Sequence, residues 1–132
     1  MTVSDNVKVL HECYAAFGAG DMPRMLATLA PDIVWEFPAS SVIPWAGRFE
    51  GHAGFTRFLD ALGAHADAES FEPRHFLADG DYVVVLGRER FRVRATGKTW
   101  ETEWAHAFTV VGGKITAFYE YTDTAAVEAA FG

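Results

Sequence analysis

Apolar residues recur at helical spacing in the first half of the chain and at every second position in the last. Leu10, Cys13, Tyr14 and Phe17 share one stripe of a helix predicted over residues 4–19, with Ser4 as its N-cap and Asp5 at the positive end of the helix dipole. Gly18 and Gly20 stop it. Asp21 then caps a second, short helix with Met22, Met25, Leu26 and Leu29 inward, and Pro31 ends that one. Ile33 to Phe37 combines β-branched and aromatic residues in a short run and predicts a strand. Residues 38–50, with Pro38, Pro44 and an apolar Trp45, read as a loop with room for a short extended piece. A third helix fits residues 52–63, its buried face carrying Phe55, Phe58, Leu59 and Leu62.

After residue 70 the period changes to two. Four strands are predicted near 71–78, 82–95, 99–111 and 114–122, separated by the hairpin signals Asp79-Gly80, Thr96-Gly97 and Gly112-Gly113. A last short helix fits 124–131, and no repeat or linker interrupts the chain, so residues 1–132 read as one domain. Helices followed by a long meander make an α+β pattern. The expected architecture is three N-terminal helices packed in the concave face of a strongly curved antiparallel sheet, a cone, with a short C-terminal helix. A cone of this kind encloses a pocket.

The register of the meander decides what lines it. A two-residue Thr96-Gly97 turn pairs Ala95 with Lys98, Arg92 with Glu101 and Arg90 with Glu103, which sets opposite charges across the strands. Arg88, Arg90, Arg92, Arg94, Glu101 and Glu103 then share one face, most simply a salt-bridged outer one. Glu89, Phe91, Trp100, Trp104, His106 and Phe108 share the other, with Glu89 across from Trp104. The next turn is ambiguous. A two-residue Gly112-Gly113 turn sets Tyr119 opposite His106. A three-residue loop, with Gly113 in a left-handed bulge, sets Phe118 opposite His106 and Glu120 diagonal to it. Pattern leaves both open.

Composition narrows the function. Half of the 132 residues are hydrophobic and 14% aromatic, ample for a packed core. Lys+Arg 11 against Asp+Glu 18 gives −7, so the basic surface that a nucleic-acid binder needs is missing. No apolar run approaches the ~20 residues of a membrane span, and the N-terminus lacks the form of a signal peptide. A cytoplasmic setting is expected, with no membrane and no nucleic-acid partner. Cys13 is the single cysteine, which excludes an internal disulfide and a multi-cysteine zinc site. His11, His52, His65 and His75 share no metal-ligand spacing, and no glycine-rich phosphate loop is present, so neither metal nor cofactor is expected.

The candidate chemistry is acid–base. His106, between Ala105 and Ala107 on an aromatic face, suits a general acid/base or a donor to a ligand oxygen. Glu120, if it shares that face, is a carboxylate among apolar residues and suits proton transfer. Tyr14, Trp35, Phe37, Phe55, Phe58, Glu89, Phe91, Trp104 and Phe118 are the candidate pocket walls.

Four segments in order carry a family resemblance over nearly the whole chain: "YAAFGAGD" with "LATLAPDIVWEFP", then "FEGHAGFTRFL", then "EWAHAFTVVGGKITAFYEYTD". The chain resembles the SnoaL-like branch of the superfamily of nuclear transport factor 2 and ketosteroid isomerase. That resemblance implies a curved-sheet cone closed by three helices, often dimeric through the outer sheet face. SnoaL-type polyketide cyclases place an acid/base Asp on the last strand and a His fourteen residues earlier; Glu120 and His106 occupy those positions here. The pocket Asn and Gln of those cyclases correspond to Trp35 and Trp104. The isomerase's base, Tyr and oxyanion-hole Asp fall on Phe37, Cys13 (beside Tyr14) and His106. The epoxide hydrolase triad falls near Glu89, Phe91 and Glu120. Two readings follow. One is a cofactor-free isomerase, cyclase or hydrolase acting on a small, largely apolar, oxygen-bearing molecule through Glu120 and His106. The other is a non-catalytic module binding such a molecule in the same pocket. A protein-interaction scaffold ranks behind both. A homodimer through the outer sheet face, presenting Tyr119 and Tyr121, is expected.

Overall fold

The structure is a computed structural model that describes residues 3–132. Helix α1 (Val3–Ala19) and helix α2 (Met22–Ala27) lead into strands β1 (Leu29–Phe37) and β2 (Gly47–Glu50). Helix α3 (Gly51–His65) precedes the meander β3 (Ala66–Asp79), β4 (Tyr82–Val93), β5 (Thr99–Val111) and β6 (Lys114–Thr122), and α4 (Thr124–Ala129) follows. The Asp21 carboxylate accepts from Arg24 N at 3.2 Å and caps α2. Asp123 caps α4 in the same way, accepting from Ala126 N at 3.1 Å. Ser4 lies inside α1 rather than at its N-cap, and its side chain lies outside the described residues.

Leu29 opens β1 instead of closing α2. Thr28 ends the helix by returning both its amide and its hydroxyl to Met25 O, so Pro31 falls in the irregular start of β1. The single sheet runs β2-β1-β6-β5-β4-β3. It is antiparallel except where β1 lies parallel to β6. The β3 strand starts five residues before the predicted 71. It is an edge strand, the position in a sheet that tolerates a proline such as Pro73, and its pairing with β4 has two irregularities. Leu10, Ile33, Phe55, Val83, Val85 and Ile115 are fully or almost fully buried between helices and sheet. No described helix is long and apolar enough to cross a membrane.

The Thr96-Gly97 turn differs from the sequence expectation, and the Gly112-Gly113 turn takes one of its two alternatives but with another register. Val93 N donates to Lys98 O, so residues 94–97 form a four-residue connection closed by Gly97 N to Val93 O, with Gly97 at φ +72°. The pairing therefore slips by two from the expected one: Arg90 faces Glu101, and Arg88 faces Glu103. A slip of two keeps every side chain on its face, and the arginine stripe is indeed a salt-bridged outer surface. Arg90 reaches Glu69 at 2.7 Å, and Arg88 pairs with Glu101. The Gly112-Gly113 turn has two residues, both with positive φ (+59° and +80°), and joins Val111 to Lys114. A bulge at Thr116 then adds one residue to β6. The three-residue alternative is thus absent. The bulge still moves the register by one, and Glu120 stands directly opposite His106, with Phe118 opposite Phe108.

Candidate functional site

The concave face of the sheet and the helices packed on it enclose a cavity with walls that are mostly aromatic. The space open to water centres is about 70 Å³, room for roughly five waters. Tyr14, Trp35, Phe37, Phe55, Phe58, Glu89, Phe91 and Phe118 line it together with His106 and Glu120. Trp104 does not. Its ring lies face to face with His106 at 3.8 Å and 13°, and Phe71 is near both, 5.1 Å from the indole and 6.3 Å from the imidazole. Its slot exists because position 87 is glycine: a Cβ there would stand 2.3 Å from the indole and 2.6 Å from Glu72 O.

Three polar side chains from three elements form one chain at the cavity wall. Tyr14 Oη on α1 lies 2.7 Å from His106 Nδ1 on β5, and His106 Nε2 lies 3.0 Å from the Glu120 carboxylate on β6. His106 and Glu120 are buried, at 6% and 9% exposure. Burial pushes the Tyr14 phenol far above its usual range, aided by nearby Cys13 and Glu120. The phenol therefore keeps its proton and donates to Nδ1, which assigns the remaining imidazole proton to Nε2, the donor to Glu120. Trp104 holds one face of the imidazole, and Phe118 approaches edge-on at 4.9 Å and 73°. With its ring clamped and both nitrogens engaged, His106 orients Glu120.

Glu89 opens onto the same cavity from β4. It faces Thr102, not Trp104, because of the slipped pairing. Trp100 Nε1 donates to Glu89 Oε2 at 2.7 Å. Burial pushes the Glu89 carboxyl up to about 8; the Glu120 charge adds to this and the Trp100 N–H opposes it. Cys13 is raised by burial to about 11, so it stays a thiol and not a nucleophile at neutral pH.

Sequence reasoning missed several walls. Trp45 arrives from the loop between β1 and β2 and lies 5.6 Å from Trp100. A tryptophan directly after Pro44, in a loop that also carries Val42 and Ile43, was the available signal. Trp100 was placed on the inner face by its period, but its bond to Glu89 follows only from the pairing Phe91↔Trp100. The Trp35 Nε1 is buried with no hydrogen-bond partner among the described residues, stacked on Phe118 at 3.7 Å.

The SnoaL-like domain family matches residues 10–118. Protein Rv0034 of Mycobacterium tuberculosis is 30% identical over 132 residues, covering 97% of each chain. A crystal structure of an NTF2-like protein from Burkholderia xenovorans LB400 is 36% identical, with a TM-score of 0.92 over 100% of this chain and 99% of that one. The crystal structure of TerC, co-crystallised with polyporic acid, is 28% identical, with a TM-score of 0.87 over 96% and 98% of the two chains.

Proposed function

The chain belongs to the SnoaL-like domain family, and from that premise we propose that it is a cofactor-independent acid–base enzyme of isomerase, cyclase or hydrolase type. Its substrate is a small, largely apolar molecule with an oxygen function, one or two rings in size. The observation that carries this reading is the Tyr14–His106–Glu120 chain ending at the wall of an apolar cavity. A carboxylate in such a place is poorly hydrated and well oriented, which favours proton abstraction from a bound ligand. His106 donates to it and Tyr14 fixes the imidazole tautomer, so both act through Glu120. The aromatic walls hold the ligand's hydrocarbon part. That TerC, a structural relative at 28% identity, was co-crystallised with polyporic acid supports an organic small molecule as the ligand of this fold.

The experiment measures binding by calorimetry beside product formation, over polyketide-like, steroid-like and epoxide-bearing compounds and polyporic acid. Glu120→Gln is expected to keep affinity and lose turnover by about a hundredfold or more, the usual scale of a general base. Wild type that binds panel members tightly and converts none, with Glu120→Gln binding equally well, would replace the enzyme by a non-catalytic binding module.

A further inference from the structure

Beside the chamber lies a second hollow, open to solvent and about 260 Å³ on the measure that gives the chamber about 70 Å³. Phe17, Met25, Leu59, Leu62 and Phe91 line both spaces, so the two adjoin across these residues. The rest of the second wall is Gly20, Met22, Gly63, Ala66 and Ala68. Among the described residues, then, no charged, hydroxyl or amide side chain lines it. Two other surface hollows are mixed: one carries Arg74, His75 and Glu103, the other Asp5, Lys8 and Glu12. A wholly apolar hollow that stays open in water suits an apolar ligand group and not solvent.

The frame of this groove is fixed at both ends. Gly20 N donates to Phe17 O at 3.1 Å and Asp21 N to Ala16 O at 2.9 Å, and Gly20 takes φ +65° to turn the chain into α2. Opposite, the Arg94 guanidinium donates to Gly63 O at 2.5 Å and to the Asp67 carboxylate at 2.6 Å. Arg94 N adds a bond to His65 O at 3.0 Å. These contacts tie the end of α3 to β3 and to the end of β4. Gly63 lies in the last turn of α3, where glycine weakens a helix. Its φ is not positive, and a Cβ there would meet nothing within 4 Å. Neither turn geometry nor packing calls for glycine at 63, and its effect is to keep the groove wide.

We propose that this groove holds an unbranched hydrocarbon tail of the cavity's ligand, whose ring-sized, oxygen-bearing head lies in the chamber at Glu120. The inference rests on the acid–base reading for the head and deepens it by naming the substrate class: amphiphiles with a linear alkyl or acyl tail. A linear chain is thin enough to pass between the shared side chains, where the unbranched Met25 adapts readily. A tail in the groove also removes apolar surface from water on both sides, a gain that a head confined to the chamber lacks.

The test is a chain-length series, para-ethyl-, para-butyl-, para-hexyl- and para-octylphenol with unbranched tails, with affinity measured by calorimetry. The phenol head supplies an O–H that the Glu120 carboxylate can accept. In wild type each added methylene is expected to tighten binding by about two- to fourfold, so that octyl exceeds ethyl by at least about fiftyfold. Gly63→Phe and Ala68→Phe each put a ring into the groove from a different wall, α3 or β3. In either variant the ratio of octyl to ethyl affinity should fall by at least about tenfold. A ratio taken within one variant cancels any general loss of binding-competent protein. The same rise with chain length in wild type and both variants, or no rise in wild type, would overturn the proposal. Turnover of ring-sized compounds that Glu120→Gln abolishes would then still support the base. A rise that both variants abolish, with no compound converted, would keep the groove and remove the enzyme reading.

Discussion

At the scale of single residues, the cavity separates two glutamates by environment. Glu120 accepts from His106 Nε2 at 3.0 Å, while Glu89, among the described residues, accepts only from the indole N–H of Trp100 and feels the Glu120 charge across the cavity. This difference has a thermodynamic consequence. The Glu89 carboxyl moves from its ordinary value of 4.5 to about 8 on folding, so folding takes up a proton between those two pH values. Stability contributed by the neutral form is complete below about pH 4.5 and is lost as pH rises towards 8. The slope is at most about 1.4 kcal/mol per pH unit. Glu89→Gln carries no such slope. Urea unfolding at pH 5, 6, 7 and 8 should therefore show the variant gaining on wild type at each step, by a few kcal/mol in all. Other titrating groups cancel in the difference, and parallel stability curves for the two proteins would contradict an acid held neutral in the cavity.

Elements decide which residues can meet. The β5–β6 hairpin combines a tight turn with a bulge. The turn needs positive φ at both Gly112 and Gly113, as the twist-matched type does. Thr116 then adds the residue that sets Glu120, instead of Tyr119, against His106. Gly113→Val puts a β-branched side chain at φ +80° and should cost about 1–2 kcal/mol. Gly113→Asn, which tolerates the left-handed region, should cost less than half of that. Denaturant midpoints for the two variants test the turn, and equal stabilities would mean that the residue carries no strain. The same logic of close approach holds for β4, where Gly87 makes the space that Trp104 fills behind His106.

For the whole molecule, the sheet has one face packed under helices and one that is bare. Tyr82, Leu86, Tyr119 and Tyr121 are exposed on the bare face, with Tyr119 and Tyr121 4.8 Å apart. The arginine–glutamate pairs of β4 and β5 adjoin them. Aromatic residues rimmed by arginine are the composition of an interface core, and we expect a homodimer through this face. Sedimentation at micromolar concentration should give twice the chain mass, and Tyr121→Glu should shift it to the monomer. A wild-type monomer under those conditions would remove the dimer.

The sequence by itself determined the α+β class, the order of the elements, and which side of each meander strand faces in. Those follow from periodicity, and period two survives a slip of two residues, as at the Arg90–Glu101 pairing. Sequence also brought out His106, Glu120, Tyr14 and Glu89 as polar groups among apolar neighbours. It did not determine how they join. A bulge needs only one unpaired residue and leaves no mark on the apolar pattern, so the alignment of Glu120 with His106 awaited the sheet. The Tyr14 contact spans α1 and β5, 92 positions apart, and no local rule reaches that far. The parallel pairing of β1 with β6 and the arrival of Trp45 at the cavity are of the same kind. Both depend on where the chain returns after β1, which packing of the cone decides and neighbouring residues do not.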